Sequence, residues 1–312
     1  MKKITVIGAG NVGATVANVI AQKEIATEVV IVDVKKGMAE GKALDIWQSS
    51  SINNFNTYVV GATDDYERTK GSSVVVITSG MPRKPGMSRD DLIKINAQIV
   101  KEVTEKVIKN SPDAIIVVVS NPLDVMTYCA YKVAQKESRK VFGMAGILDS
   151  ARYRSFIAEA LGISPKDVQA LLLGGHGDTM VPLPRYTSVS GIPITELLDQ
   201  QKIDEIVDRT RKGGGELVNL MGTSAWYAPG SAAAQMVEAI MNDQQRVFPV
   251  CAKLNGEYGL NDVFVGVPVR LGANGIEEII ELELNEDEKK ALAESAAQVK
   301  GMMDVLDEMN IF

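Results

Sequence analysis

A chain of 312 residues is long for one hydrophobic core and suits two domains of about 150 residues each. Apolar residues make up 46% and charged residues 23%, and forty acids against thirty-three bases leave a net charge of −7. With no local basic cluster, that balance excludes nucleic acid as an expected partner. One histidine and two cysteines leave too few ligands for a histidine/cysteine zinc site, so no metal is expected.

Cys129 and Cys251 lie far apart in apolar segments, as reduced thiols of an intracellular protein do. The two lysines and apolar run at the start resemble the opening of a signal peptide, but the run breaks at Gly8 and Asn11. No segment reaches the eighteen or so apolar residues of a membrane helix. The expectation is a cytoplasmic protein without a membrane partner.

Residues 4–7 form a β-branched run, followed by Gly8-Ala9-Gly10-Asn11-Val12-Gly13 and an alanine- and valine-rich helical stretch to about residue 23. In such a strand, turn and helix the first glycine makes the turn and the second lets the backbone meet a pyrophosphate. The third allows close packing of helix on strand. The anion then rests on the free amides of the helix N-terminus. A second strand, 28–33, ends in Asp33, twenty residues after Gly13, where a carboxylate accepts hydrogen bonds from an adenosine ribose. That charge repels a 2′-phosphate, so NAD is expected over NADP.

Further apolar runs at 58–60, 74–78, 115–119 and 141–144 alternate with helical patterns at 37–49, 91–109 and 122–135. Six β-branched runs separated by helices predict an α/β fold, a doubly wound parallel sheet covered on both faces. Ligands bind such sheets at the carboxyl ends of the strands, where Thr78, Ser79 and Gly80 and the pair Ser120 and Asn121 fall. The segment 80–91 carries two glycines, two prolines and the bases Arg83, Lys84 and Arg89. It reads as an exposed loop, its arginines being either surface charges or a lid that closes over an anion.

A helix opens near residue 147 with Asp149 and Arg152 three apart on one face. They form either a helix cap with a local ion pair, or an acid that orients an imidazole beside a guanidinium fork for a carboxylate. The imidazole is His176, which follows Leu171, Leu172 and Leu173 in a loop with glycines at 174, 175 and 177. Its two readings are a structural histidine in a turn and a general acid/base standing in a cleft. Spacing permits the pairing of Asp149 with His176 without establishing it. Beyond Asp178, residues 181–186, 247–254 and 264–271 read as strands, and 203–220, 231–242 and 285–310 as helices. Gly213, Gly214 and Gly215 interrupt the first of those helices and predict a kink or a break.

Together these pieces resemble the lactate/malate dehydrogenase family, and within it the bacterial lactate-dehydrogenase-like NAD-dependent malate enzymes. The matching motifs are the Gly8 to Gly13 loop, Asp33, the 80–91 loop and Ser120-Asn121-Pro122. Leu148-Asp149-Ser150-Ala151-Arg152, Gly175-His176-Gly177-Asp178 and Ser224-Ala225-Trp226 follow in the family's order. The resemblance implies a Rossmann domain over residues 1–147 and an α/β catalytic domain over 148–312. It implies His176 as proton carrier, Asp149 as its orienting partner and Arg152 as the clamp on the substrate's C1 carboxylate. Arg89 would polarise the carbonyl, and Asn121 would touch both substrate and cofactor. Asn96 and the backbone of Val119, Ser120 and Asn121 would complete the NAD site. Arg83 stands where the family reads the substrate's third substituent: arginine in malate enzymes, typically glutamine in lactate enzymes. A second carboxylate in a poorly hydrated site needs that countercharge. Gly175 departs from many lactate enzymes, which carry glutamate there. The implied activity is reversible hydride transfer between (S)-malate and NAD, with no metal, in a homotetramer or homodimer. The rivals are a lactate or other 2-hydroxy acid dehydrogenase and a non-catalytic NAD-binding sensor or assembly subunit.

Overall fold

The computed structural model describes residues 2–82 and 88–312, without the side chain of Arg89. The elements in chain order begin with β1 (Lys3–Ile7), α1 (Asn11–Gln22), β2 (Glu28–Asp33), α2 (Met38–Gln48), α3 (Ser50–Asn53) and β3 (Tyr58–Thr63). Next come β4 (Val74–Ile77), α4 (Arg89–Asn110), β5 (Ile115–Val118), α5 (Leu123–Ala134), β6 (Val141–Gly143) and α6 (Gly146–Leu161). Short strands follow: β7 (Val168–Gln169), β8 (Leu172–Leu173), β9 (Val181–Pro182), β10 (Ser188–Val189) and β11 (Ile192–Pro193). The rest is α7 (Ile194–Leu197), α8 (Gln200–Met221), α9 (Tyr227–Met241), β12 (Arg246–Asn255), β13 (Asn261–Gly272), β14 (Gly275–Ile279) and α10 (Glu286–Glu308).

The first six strands pair in parallel in the order β3-β2-β1-β4-β5-β6. Val74 to Ile77 and Val117 to Val118 are buried, because helices cover both faces and no position on these strands has to meet water. The order reverses between β1 and β4, so the loops after β1, β2, β4 and β5 open into one crevice at the carboxyl edge.

The sheet does not stop at β6. Cys251 of β12 pairs antiparallel with Gly143, and β13 and β14 extend it to nine strands. One hydrophobic core therefore runs through both halves of the chain. A satellite cluster of Tyr153, Ile157, Leu172, Met180, Ile203 and Ile206 packs α6 against α8 beside it. Both cysteines are free and buried. Among the described residues no helix is long and apolar enough to cross a membrane.

Two sequence expectations need correction. Residues 181–186 are not one strand, since β9 ends at Pro182 and a single helical turn follows at Pro184–Tyr186. Two prolines within three residues withhold the N–H groups that a strand requires. The triple glycine does not break α8, whose 22 residues run through it. Gly213 is buried there, and a Cβ on it would stand 3.3 Å from Cδ of Arg152. The glycines thin one face of the helix so that an arginine can lie along it.

Candidate active site

The loop after β1 is built for an anion. Gly8 has φ +105°, and a Cβ on it would meet Thr78 Oγ1 at 2.6 Å, while a Cβ on Gly13 would strike the carbonyl oxygen of Gly8 at 1.9 Å. These two positions admit glycine alone because turn, strand and helix approach too closely for a side chain. Gly10 is the reverse, with open space where its Cβ would stand. It caps α1 without a side-chain hydrogen bond, and the first α1 backbone bond runs from Ala14 N–H to the Gly10 carbonyl. The amides of Asn11, Val12 and Gly13 are left for a ligand.

Asp33 ends β2 beside this loop. Its Oδ2 accepts from Ala9 N–H at 2.7 Å and its Oδ1 from Lys35 N–H at 2.8 Å. Those bonds hold the carboxylate at the crevice, with lone pairs remaining for ribose hydroxyls. Glycine cradle, unspent helix amides and placed carboxylate together fit a dinucleotide.

On the other wall, Val119 is buried and bonded to Ile77, and the Ser120 hydroxyl donates to the carbonyl of Ser79, tying the ends of β4 and β5 together. Asn121 precedes a cis bond to Pro122. Its carbonyl accepts from Asn96 Nδ2 at 2.7 Å. Asn96 is itself buried, and its amide also accepts from Met81 N–H at 2.8 Å and donates to the Met81 carbonyl at 3.1 Å. Its role is therefore to brace the backbone on both sides of the crevice.

The second half of the chain brings its chemistry to the same place. Asp149, in the first turn of α6, is buried and does not cap the helix. Its Oδ2 lies 2.7 Å from His176 Nδ1, and its Oδ1 accepts from Arg152 Nη1 at 3.1 Å. The local ion pair and the orienting acid are thus one arrangement. His176 Nε2 has no protein hydrogen bond among the described residues, and the Nε of Arg152 is buried without a partner. An imidazole nitrogen without a protein partner and an incompletely used guanidinium fork stand together, an arrangement that can exchange a proton beside a bound carboxylate. Burial pushes the His176 pKa down, but the charge and hydrogen bond of Asp149, with Asp124 adding to them, outweigh it and hold the pKa above the ordinary imidazole value. Arg83 lies outside the described residues; Arg89 opens α4 behind the Ser88 cap, but its side chain also lies outside them.

Sequence reading missed what fixes His176. Three successive amides are pinned by three elements: Gly174 N–H by the Gly266 carbonyl at 2.9 Å, Gly175 N–H by Ser295 Oγ at 2.8 Å and His176 N–H by Asp124 Oδ2 at 2.8 Å. A Cβ on Gly266 would stand 2.5 Å from the Gly174 carbonyl oxygen, so this approach requires glycine. A Cβ at Gly175 would fall 2.8 Å from Val299 Cγ2, so a side chain there requires Val299 to shift. The only local signal was an acid at the second position of the otherwise apolar start of α5.

Comparison with known proteins agrees with this geometry. Residues 2–143 match the NAD-binding domain of lactate/malate dehydrogenases, and residues 147–309 match their α/β C-terminal domain. The chain belongs to the lactate/malate dehydrogenase family. Its first 143 residues accordingly hold an NAD-binding domain. A malate dehydrogenase of Cytophaga hutchinsonii is 62% identical over 305 residues, 98% of each chain. The solved malate dehydrogenase of Salinibacter ruber superposes with a TM-score of 0.95 at 56% identity, covering 99% of this chain and 98% of its own. A lactate dehydrogenase of Cryptosporidium parvum, solved with lactic acid and nicotinamide adenine dinucleotide, superposes with a TM-score of 0.94 at 40% identity, covering 98% of both chains.

Proposed function

We propose that the chain is an NAD-dependent malate dehydrogenase, interconverting (S)-malate and oxaloacetate. The observation that carries the catalytic reading is the dyad of His176 and Asp149 at 2.7 Å with Arg152 on the other oxygen of the same carboxylate. In malate oxidation neutral His176 takes the hydroxyl proton on Nε2, and Asp149 stabilises the resulting imidazolium; in oxaloacetate reduction the protonated ring returns that proton. Bound NAD supplies the hydride acceptor, and NADH the donor. Arg152 clamps the C1 carboxylate with the N–H groups that Asp149 leaves free. Asn121, held through its carbonyl by Asn96, faces substrate and cofactor. Asp33 accepts the adenosine ribose hydroxyls, and the loop Gly8, Ala9, Gly10, Asn11, Val12 and Gly13 holds the pyrophosphate, with the backbone of Val119 and Ser120 completing the site.

The choice of malate over lactate rests on Arg83, assigned by family resemblance to the distal carboxylate, and on the malate dehydrogenases among the 51–62% identical relatives. Fold does not decide it, since malate and lactate enzymes superpose on the chain equally well. Arg89 is assigned to the substrate carbonyl on the same family grounds. A non-catalytic sensor has no use for the buried dyad. The test is NADH oxidation with oxaloacetate and pyruvate side by side; preference for pyruvate overturns the assignment.

A homodimer or homotetramer is part of this reading. Leu44 and Ile52 on α2 and α3, Val218, Leu220 and Met221 at the end of α8, and Tyr227 at the start of α9 are exposed apolar side chains. Exposed apolar side chains of this kind are what an interface between copies buries. A cytoplasmic location accords with the two free thiols.

A further inference from the structure

We infer that Asp124 is a positioning residue for His176, setting the imidazole from the backbone side while Asp149 sets it from the ring side. This rests on the reading of His176 as the proton carrier and adds a residue outside the dyad. The carboxyl of Asp124 is buried at the start of α5, three residues after Asn121, and crosses from the nucleotide-binding half to the catalytic half to take His176 N–H at 2.8 Å. Among the described residues its Oδ1 is buried with no nitrogen or oxygen partner, the Cys251 thiol being the donor that faces the carboxyl.

A buried carboxyl whose partners are one backbone amide and the weak donor of the Cys251 thiol is costly, so bulk stability does not account for it. The contact does have a geometric use. Gly174 and Gly177, on either side of His176, hold positive φ, so the loop has little stiffness of its own at the residue that must be still. Gly174 and Gly175 are tied to β13 and α10, whereas the tie on His176 itself comes from α5, the helix that follows Asn121. Asp124 thereby links proton carrier and substrate-facing asparagine in one rigid unit. The groups facing its carboxyl are His176, the Cys251 thiol from β12, and Asp149 from α6. Burial pushes the Asp124 pKa up, and the attraction of His176 works against that rise.

The step that depends on this contact is proton transfer concerted with hydride transfer, where misplacement of about an ångström costs on the order of a hundredfold. Asp124→Ala should therefore lower kcat by roughly ten- to a hundredfold, with the Kd for NADH within about twofold of the parent. The primary isotope effect on kcat from NADH deuterated at the transferred position should rise, because chemistry becomes slower than release. Asp124→Asn keeps an acceptor oxygen for His176 N–H and should recover most of the loss.

Should Asp124→Ala fail to fold, Asp124→Asn alone still decides: the positioning role requires its kcat to stay within about fivefold of the parent. An Asp124→Ala enzyme with parental kcat and isotope effect overturns the inference. So does a pair of variants in which kcat, NADH affinity and Tm fall together and asparagine restores nothing, since that pattern marks a general packing role. His176→Ala separates the two readings. If it retains turnover, the proton-carrier assignment fails; if it is inactive while Asp124→Ala is not, only the role of Asp124 fails.

Discussion

The Nδ1 of His176 stands 2.7 Å from one oxygen of Asp149, whose other oxygen is 3.1 Å from the guanidinium of Arg152. One buried carboxylate thus orients both the imidazole proposed to move the proton and the guanidinium proposed to hold the substrate. Its two tasks separate in substitution. His176→Ala should lower kcat by roughly two to four powers of ten while NADH affinity stays near the parent value, because the imidazole touches the reacting atoms and not the dinucleotide cradle. Single-turnover rates and NADH titration check this, and near-parental turnover returns His176 to a structural role.

The raised pKa of His176 gives the pH dependence its sign. Reduction of oxaloacetate needs the protonated ring, so its kcat/KM should hold at low pH and fall as pH rises through a value above that of free imidazole. Malate oxidation needs the neutral ring and should rise through the same value. Asp149→Asn removes the charge that holds the pKa up while keeping an amide oxygen that can accept from the ring, so both limbs should move to lower pH as the rate falls. Profiles that move to higher pH contradict the assignment.

Asp33 is proposed to carry the cofactor preference. Its carboxylate already accepts from Ala9 and Lys35, which fixes it in place and leaves lone pairs for ribose hydroxyls but no room for a 2′-phosphate charge. The enzyme should strongly prefer NAD, and Asp33→Ser should narrow that preference. Comparable activity of the parent with NADP at equal concentration refutes it.

The nucleotide-binding half was legible because its signals are local: β-branched runs for buried parallel strands, a glycine loop at a strand end, an acid at the next strand end. Asp149 and Arg152 were legible as a helical pair, and His176 as the only imidazole. What holds His176 was not. Ser295 reaches the neighbouring Gly175 amide across 120 residues and Asp124 the His176 amide across 52, and no period in the sequence reports contacts made by folding alone. The glycines of α8 misled for the same reason. Their low helix propensity suggested a break, whereas the use of Gly213 lies in a contact with Arg152 on another helix.

That contact is testable against its neighbour. Gly215 has open space at its Cβ position, so Gly215→Ala should stabilise α8 by up to about 1 kcal/mol without changing kinetics. Gly213→Ala gains similar helix propensity but puts a methyl 3.3 Å from Arg152 Cδ. It should raise KM for oxaloacetate by roughly tenfold with little loss of Tm, because the clamp moves while the helix survives. Equal kinetics in the two variants would show that the glycine face does not seat Arg152.

The last prediction concerns Arg83, proposed to read the distal carboxylate of malate or oxaloacetate. Replacing it with glutamine removes a charge-assisted contact, for which about 1.5–3 kcal/mol is a reasonable first magnitude. A carboxylate left unpaired in a closed site costs at least as much, so kcat/KM for oxaloacetate should fall by at least roughly tenfold to a hundredfold in Arg83→Gln. Pyruvate carries a methyl group in place of that carboxylate and needs no countercharge. Its efficiency should change little or rise. A folding defect depresses both substrates together, so the ratio of the two efficiencies isolates the contact. If that ratio is unchanged in a well-folded Arg83→Gln protein, Arg83 is a surface charge. The preference for malate over lactate must then come from another part of the site.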